Sequence, residues 1–503
     1  MLILIDLYIN RYDDVWMDNA LENFYFLLDT FDYNSEIDLS LNNNFLKLNC
    51  DKEVFKKVLI EIFKNYKQFV CIKEKEDSGE LKEFKKDFIL IQHRRSGESV
   101  YLNSVLFTNP DEEVPKFVDA FEKGSNNCVL CGSSFKKSSL RQLKKYYNLT
   151  QASYPFTTKI KSLNGVRSYK NGEYFSFKEY NSVCLLCYLI GQLGWLTDKF
   201  IYRSFVSTKK SYLLLPNSND LKELHDFKSD YANLLNNNER WSNIKVSLID
   251  EKGEATNGKF STLLCFFSRF YLISDEIPSS ISWNIIEIPL GKVKNIKSLE
   301  FNSSDTILNI IKSFIDEEED IYTLFSSLYF FNDFEMSNKF RENISESFLK
   351  DDFRSFARNF IPRSGKKISF SNKNIEFLEY FNYLIKLWRV NSMSISEEDL
   401  KSIRSVGNII AKVSVTNSSL FYKLDKIRSL DDFWGCLREI SRKLVNSDID
   451  KSKIREMSLD ELVVLLKRNE DNWKEIRDLL IVYAAIYYSV ASRGGENDGD
   501  KRN

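Results

Sequence analysis

The chain has 503 residues, 43% hydrophobic and 28% charged, which is enough for two or three domains with cores of their own. Its longest apolar runs, Leu185–Leu196 and Leu479–Tyr488, are too short to cross a bilayer unaided. The net charge of −1 excludes a uniformly basic nucleic-acid binder and leaves only local charge to be informative.

The opening MLILIDLYIN lacks a basic flank and carries Asp6, so it reads as a buried strand over Leu2–Ile9 and not as a signal peptide. The expected compartment is the cytoplasm, and no membrane partner is expected. A helical period follows over Asn19–Leu28. Further strands are predicted at Phe88–Gln92, Tyr212–Leu215, Ile244–Ile249 and Ile281–Ile288, each short and rich in β-branched or aromatic residues. HRRSGES at 93–99 reads as a solvated turn. The fold class expected for 1–305 is an α+β N-terminal domain, with a four-cysteine zinc subdomain inserted at about 124–196.

Beyond residue 305 the apolar period becomes that of helices. A helical connector with a basic loop is expected over 306–370, and an all-α bundle over 371–492. The stripes are Ile375, Leu378, Phe381, Ile385 and Trp388, then Leu400, Ile403, Val406, Ile410 and Val413. Next come Phe433, Leu437, Ile440 and Leu444 behind Asp431, then Leu462, Leu465 and Leu466. Ile476, Leu479, Leu480, Tyr483 and Ile486 complete the set. Capping boxes are expected at Ser394 with Glu397 and at Ser458 with Glu461. The polar tail 493–503 is expected to be disordered.

Charge is concentrated in one place. Between Lys123 and Lys210 there are fifteen Lys or Arg against three acids, Glu173, Glu179 and Asp198, a local charge of 15 − 3 = +12. Such an island points either to a polyanion or to a solvated face paired elsewhere. Lys136, Lys137, Arg141, Lys144 and Lys145 are its densest part. Interleaved aromatics such as Tyr146, Tyr147, Tyr154 and Tyr174 suit base stacking, and suit a core equally. A second basic stretch runs through Arg354, Arg358, Arg363, Lys366 and Lys367, with no acid between Asp352 and Glu376.

The chemistry-bearing motif is a doubled Cys-x-x-Cys. Cys128 and Cys131 lie in NNCVLCG, and Cys184 and Cys187 in SVCLLCY, with fifty-two residues between the pairs. Two such turns supply the four thiolates of a tetrahedral structural Zn2+. Gly132 suits the first turn because glycine accepts a positive φ. Cys187 runs directly into YLIGQLGWL, so the second turn is expected to lead into a buried helix. Four sulfurs fill the metal, which therefore cannot activate water. Cys50, Cys71, Cys265 and Cys436 stand alone and read as buried hydrophobes.

No catalyst can be assembled. Only His93 and His225 exist, and His225-Asp226 lacks the further ligands of an HD-type metal-dependent nuclease. No phosphate-binding glycine loop is present. The expectation is a non-enzyme, with a zinc-stapled nuclease and a protein-only scaffold as the alternatives.

The pairing of CVLCG (128–132) with CLLCYLIGQLGW (184–195), in a chain of this size with a helical C-terminus, resembles the CXXC–CXXC CRISPR-associated family. These are large subunits of type I-B Cascade effector complexes. The resemblance is specific over Cys128–Trp195 and rests elsewhere on general architecture. It implies a non-catalytic subunit of antiviral defence that holds the 5′ end of the crRNA and tests double-stranded target DNA for a PAM. It also implies contact with single-stranded target DNA, with Cascade backbone and small subunits, and with the helicase-nuclease it helps recruit. The bundle is expected to resemble a Cascade small subunit, released on its own if translation starts internally at Met336 or Met393. Of the family's functional residues, only the four cysteines carry over.

Overall fold

A computed structural model describes residues 4–30, 36–65, 107–136, 183–205, 210–235, 258–289, 297–362, 368–390, 395–446 and 458–491, apart from a few positions within those stretches, and the pairs 94–95 and 98–99. The predicted strands Phe88–Gln92 and Ile244–Ile249 lie outside the described residues, as do Cys71, His93 and Met393. The architecture is mixed α/β, with small sheets in the N-terminal part and a mostly helical C-terminal half.

Two compact units form, residues 1–246 with 277–302, and residues 247–276 with 303–503. In the first, strand β1 (Leu4–Asn10) is followed by helix α1 (Val15–Thr30), β2 (Ile37–Leu41), β3 (Phe45–Asp51) and α2 (Lys52–Asn65). The strands pair antiparallel in the order β1-β3-β2, with Leu7 opposite Leu48 and Leu48 opposite Leu39. β1 is half-buried, not buried: Ile5 and Ile9 face the core while Leu4, Asp6, Tyr8 and Asn10 are exposed. The two-residue side-chain period of a strand puts alternate residues on opposite faces, so a strand covered on one side cannot hide all of them.

Farther along, β4 (Arg94–Arg95) and β5 (Glu98–Ser99) pair antiparallel, followed by α3 (Pro110–Asp119) with proline at its permitted first position. β6 (Asn126–Asn127) and β7 (Ser134–Phe135) bracket the first cysteine pair, and α4 (Leu185–Leu193) begins within the second. A second antiparallel sheet takes β8 (Ile201–Phe205) and β9 (Lys210–Asn217), then, past α5 (Leu221–Leu235) and α6 (Lys259–Phe270), β10 (Ser282–Pro289) and β11 (Lys297–Asn302). Its order is β11-β10-β9-β8. Helix α1 is buried from Val15 through Phe24 without interruption. The buried Asn19 side chain joins it to β9 by donating to the Pro216 carbonyl at 2.7 Å.

The second unit gathers α6, α7 (Asp305–Asp316), α8 (Ile321–Ser326), β12 (Leu328–Phe330), α9 (Phe334–Leu349), α10 (Phe353–Asn359) and β13 (Ile368–Phe370). Then come α11 (Asn374–Ile385), α12 (Glu397–Val413), α13 (Ser419–Lys426), α14 (Leu430–Val445), α15 (Ser458–Arg468) and α16 (Trp473–Ala491). α11 runs into a π-helical turn at Lys386–Val390 that places Trp388 in the core. α16 is buried on every side from Ile476 to Ile486, which accounts for its apolar run: it is the bundle's inner helix. Gly407 lets α12 approach it, because a Cβ there would sit 2.8 Å from the Tyr483 Cβ.

At α12 and α14 the caps differ from those expected. Ser396 with Asp399, two residues beyond the predicted Ser394–Glu397 pair, forms the box that opens α12. Ser429 with Asp432, and not Asp431, opens α14. Both observed boxes have the same three-residue spacing of a hydroxyl and an acid. Ser458 is the first residue of α15 and is buried, while Glu461 accepts from the Ser402 hydroxyl at 2.5 Å. Met336 lies inside α9, one turn past its cap Asp333.

Helix α6 begins at Gly258, and the side chain of Glu342 from α9 serves as its cap. The carboxylate accepts from the amides of Phe260 (2.9 Å) and Ser261 (3.0 Å). A Cβ on Gly258 would lie only 1.7 Å from this carboxylate. Gly258→Ala is therefore expected to cost about 1–3 kcal/mol through overpacking. Urea denaturation followed by circular dichroism measures it, and a midpoint equal to wild type would show that Glu342 can move aside.

Candidate metal centre

The first knuckle is built by the β6–β7 ladder, in which Asn126 faces Phe135 and Asn127 faces Ser134. Between them the chain reverses: the Cys128 amide donates to the Ser133 carbonyl and the Gly132 amide to the Cys128 carbonyl, both at 2.9 Å. Gly132 has φ +74°, with nothing within 4 Å of a notional Cβ. Glycine is favoured there for backbone conformation, not for space.

The second knuckle is the start of α4. Cys184 is its N-cap, in extended conformation at φ −75° and ψ 161°, and Cys187 lies in its first turn. The expected buried helix is present, and it packs on α1. The Asn23 side chain donates to the carbonyls of Leu193 (2.6 Å) and Leu196 (3.1 Å). Gly194 permits the approach, since a Cβ there would meet that of Ala20 at 2.8 Å. The cysteines thus belong to the same core cluster as β1, β3 and α1.

The four Sγ atoms lie within 4.8 Å of one another. Cys128 Sγ is 3.8 Å from Cys187 Sγ, and Cys131 Sγ is 3.7 Å from Cys184 Sγ. Zinc–sulfur bonds of about 2.3 Å in a tetrahedron require sulfur separations of about 3.8 Å. The donor set and its spacing therefore fit a metal ion such as zinc. Cys187 is fully buried, Cys128 and Cys184 nearly so, and Cys131 is the one partly exposed ligand. Burial pushes the Cys187 thiol well above the ordinary thiol range, so full ionisation of the quartet calls for a cation between the sulfurs. The Cys184 amide donates to Cys128 Sγ at 3.3 Å, and the Tyr12 hydroxyl lies 3.2 Å from Cys187 Sγ.

No family model and no curated protein sequence matches the chain. Chemistry at the site must therefore be read from its own residues. Among the described residues no other cluster of three or more His, Cys, Asp or Glu groups comes within ligating distance. Cys50, Cys265 and Cys436 are buried and outside the quartet, as expected. No helix of the described residues is long and apolar enough to cross a membrane.

Of the cations singled out by sequence, Lys137, Arg141, Lys144, Lys145, Arg363, Lys366 and Lys367 lie outside the described residues. Lys136 is half exposed and pairs with Glu122 at 2.7 Å. Arg354 is engaged inside the second unit, donating to Asp478 and Asp425 at 2.5 Å each. Arg358, on the same helix face, is 59% exposed and lies 3.1 Å from Asp425.

His225 does not join a metal cluster among the described residues. Its Nδ1 is 2.9 Å from Glu22 Oε1, and Lys228 Nζ takes the other carboxylate oxygen. Glu22 is wholly buried and Lys228 nearly so. Burial alone would raise the Glu22 carboxyl, but Lys228 and His225 outweigh it and bring it down to about 2. Sequence reasoning missed this centre. Its signal was present in α1, where Asp18, Asn19, Glu22 and Asn23 repeat at four-residue spacing inside an apolar helix, and all four are buried.

Proposed function

We propose that the four cysteines hold one structural zinc ion and that the chain is a non-catalytic, nucleic-acid-binding large subunit of a type I CRISPR Cascade complex. The observation that carries the reading is the quartet itself: two Cys-x-x-Cys knuckles closed on one another, the second opening the buried helix α4. A closed shell of four sulfurs leaves the ion no position for water or substrate, so it fastens the chain. In this reading the protein binds the crRNA 5′ end and target DNA through local cations, while base pairing to the guide supplies sequence recognition. In the same reading, the helical bundle over 371–492 is the part that corresponds to a small subunit.

The test is purification from the native operon with metal and nucleic-acid analysis on one sample. The expected result is one zinc per chain and a copurifying RNA of uniform length. Metal without RNA would leave a zinc-stapled scaffold. Metal-dependent cleavage that is lost in His225→Ala would replace the reading with a nuclease.

A further inference from the structure

We infer that Tyr12 is the positioning residue of the metal centre, donating its phenol O–H to the Cys187 thiolate. The inference rests on the reading of the quartet as a metal site. Tyr12 is 1% exposed, and its hydroxyl lies 3.2 Å from Cys187 Sγ, within hydrogen-bond reach for sulfur. With a neutral thiol either partner can donate. Once a metal has displaced the thiol proton, only the phenol has a hydrogen to give, so the bond must run O–H to S−.

Four thiolates around a divalent cation carry a net charge of −2 in a buried space. Hydrogen-bond donors aimed at the sulfurs spread that charge and orient the ligands. Such donors stand here in the Cys184 amide on Cys128, the Ser133 side chain on Cys131 and the Tyr12 phenol on Cys187. The phenol comes from 175 residues away, and a single side-chain substitution removes it.

The placement of Tyr12 is itself determined. It sits in the turn from β1 to α1, where Asp13 has φ +53°. Asp18 accepts from the Tyr12 amide at 2.6 Å and from the Asp14 amide at 3.0 Å. Asp14 in turn caps α1 by accepting from the amides of Trp16 and Met17, both at 3.1 Å. The metal centre is thereby tied to the first turn of α1, a helix buried without interruption from Val15 through Phe24.

Tyr12→Phe keeps the ring and removes only the donor. Zinc affinity, read by competition with a chromophoric chelator, is expected to fall ~10–100-fold. In the cobalt-substituted protein the sulfur-to-metal charge-transfer band is expected to shift from its wild-type position. A second measurement needs no variant: adding zinc to metal-free wild type is expected to shift tyrosine absorption to the red, as the phenol becomes a donor to an anion. Unchanged affinity and cobalt spectrum in Tyr12→Phe, or no tyrosine shift on zinc binding, would overturn the role of Tyr12 alone. Failure of the wild type to take up zinc or cobalt would overturn the metal reading and this inference with it.

Discussion

Cys187→Ser is expected to abolish stoichiometric metal binding and to destabilise the first unit more than any other single side-chain change. Cys187 is the most buried of the four sulfurs, the partner of Tyr12 and a first-turn residue of α4. Structural zinc sites contribute roughly 10–16 kcal/mol of apparent binding free energy at neutral pH, and that energy is folding energy when the site exists only in the folded chain. Losing one ligand forfeits a large share of it and leaves three sulfurs, two of them buried, without a complete shell. The measurement is metal content by mass spectrometry together with thermal unfolding of the same preparation. The expected outcome is less than a tenth of wild-type zinc and a melting temperature lower by 10 °C or more, on the order of 2–4 °C per kcal/mol for a unit of this size. Cys436→Ser, at a buried lone cysteine in α14, is expected to keep full zinc content. Equal zinc in Cys187→Ser and wild type would remove the quartet as a metal site. Treatment of wild type with a strong chelator should reproduce the effect of the substitution.

The second large effect is expected at Glu22→Gln. The carboxylate is the counter-charge of Lys228 and the hydrogen-bond partner of His225, and its loss strands a buried ammonium. Breaking a buried ion pair from one side costs about 3–5 kcal/mol, because the remaining charge has neither water nor a partner. The sign of the pH dependence follows from the depressed carboxyl. Its folded value of about 2 lies below its unfolded value of 4.5. The stability it contributes is therefore complete above 4.5 and is lost as pH falls through 2. Chemical denaturation at pH 7 and at successive acid steps separates the two forms. The gap between wild type and Glu22→Gln is expected to be widest near neutrality and to narrow on acidification. Glu22→Leu combined with Lys228→Met is expected to recover most of the loss, since an apolar pair of similar volume often matches a buried ion pair. A single Glu22→Gln variant as stable as wild type would mean that Lys228 reaches solvent.

The two predictions differ in how far sequence reasoning reached them. The cysteines were legible because a Cys-x-x-Cys turn presents two sulfurs on one short loop, so the donor geometry is local. The helical stripes of the second unit were legible for the same reason. A 3.6-residue period needs no knowledge of the partner, and Leu400, Ile403, Val406 and Ile410 are all buried as read. Caps were less secure, because Ser394 and Ser396 each stand three residues before an acid. In the structure Ser396 with Asp399 opens α12. Helix α6 packs among the helices of the second unit although it precedes two strands of the first unit's sheet.

Asp18, Asn19, Glu22 and Asn23 lie in a helix that the same periodicity reads as apolar. Their burial makes sense only once β9, α4 and α5 supply partners for Asn19, Asn23 and Glu22. Tyr12 has no sequence signal at all.

What the sequence by itself determined is the donor chemistry: which residues can hold a metal, that a shell of four sulfurs would be closed, and where the amphipathic helices run. Those properties depend on residue type and on spacings of a few positions. Which groups meet was decided by the tertiary structure. The two sulfur pairs, Tyr12 with Cys187 across 175 residues, and Glu22 with Lys228 across 206 come together only when α1 and its neighbours pack. The physical reason is that a buried charge or thiolate is tolerable only beside its partner, and that partner is supplied by the fold.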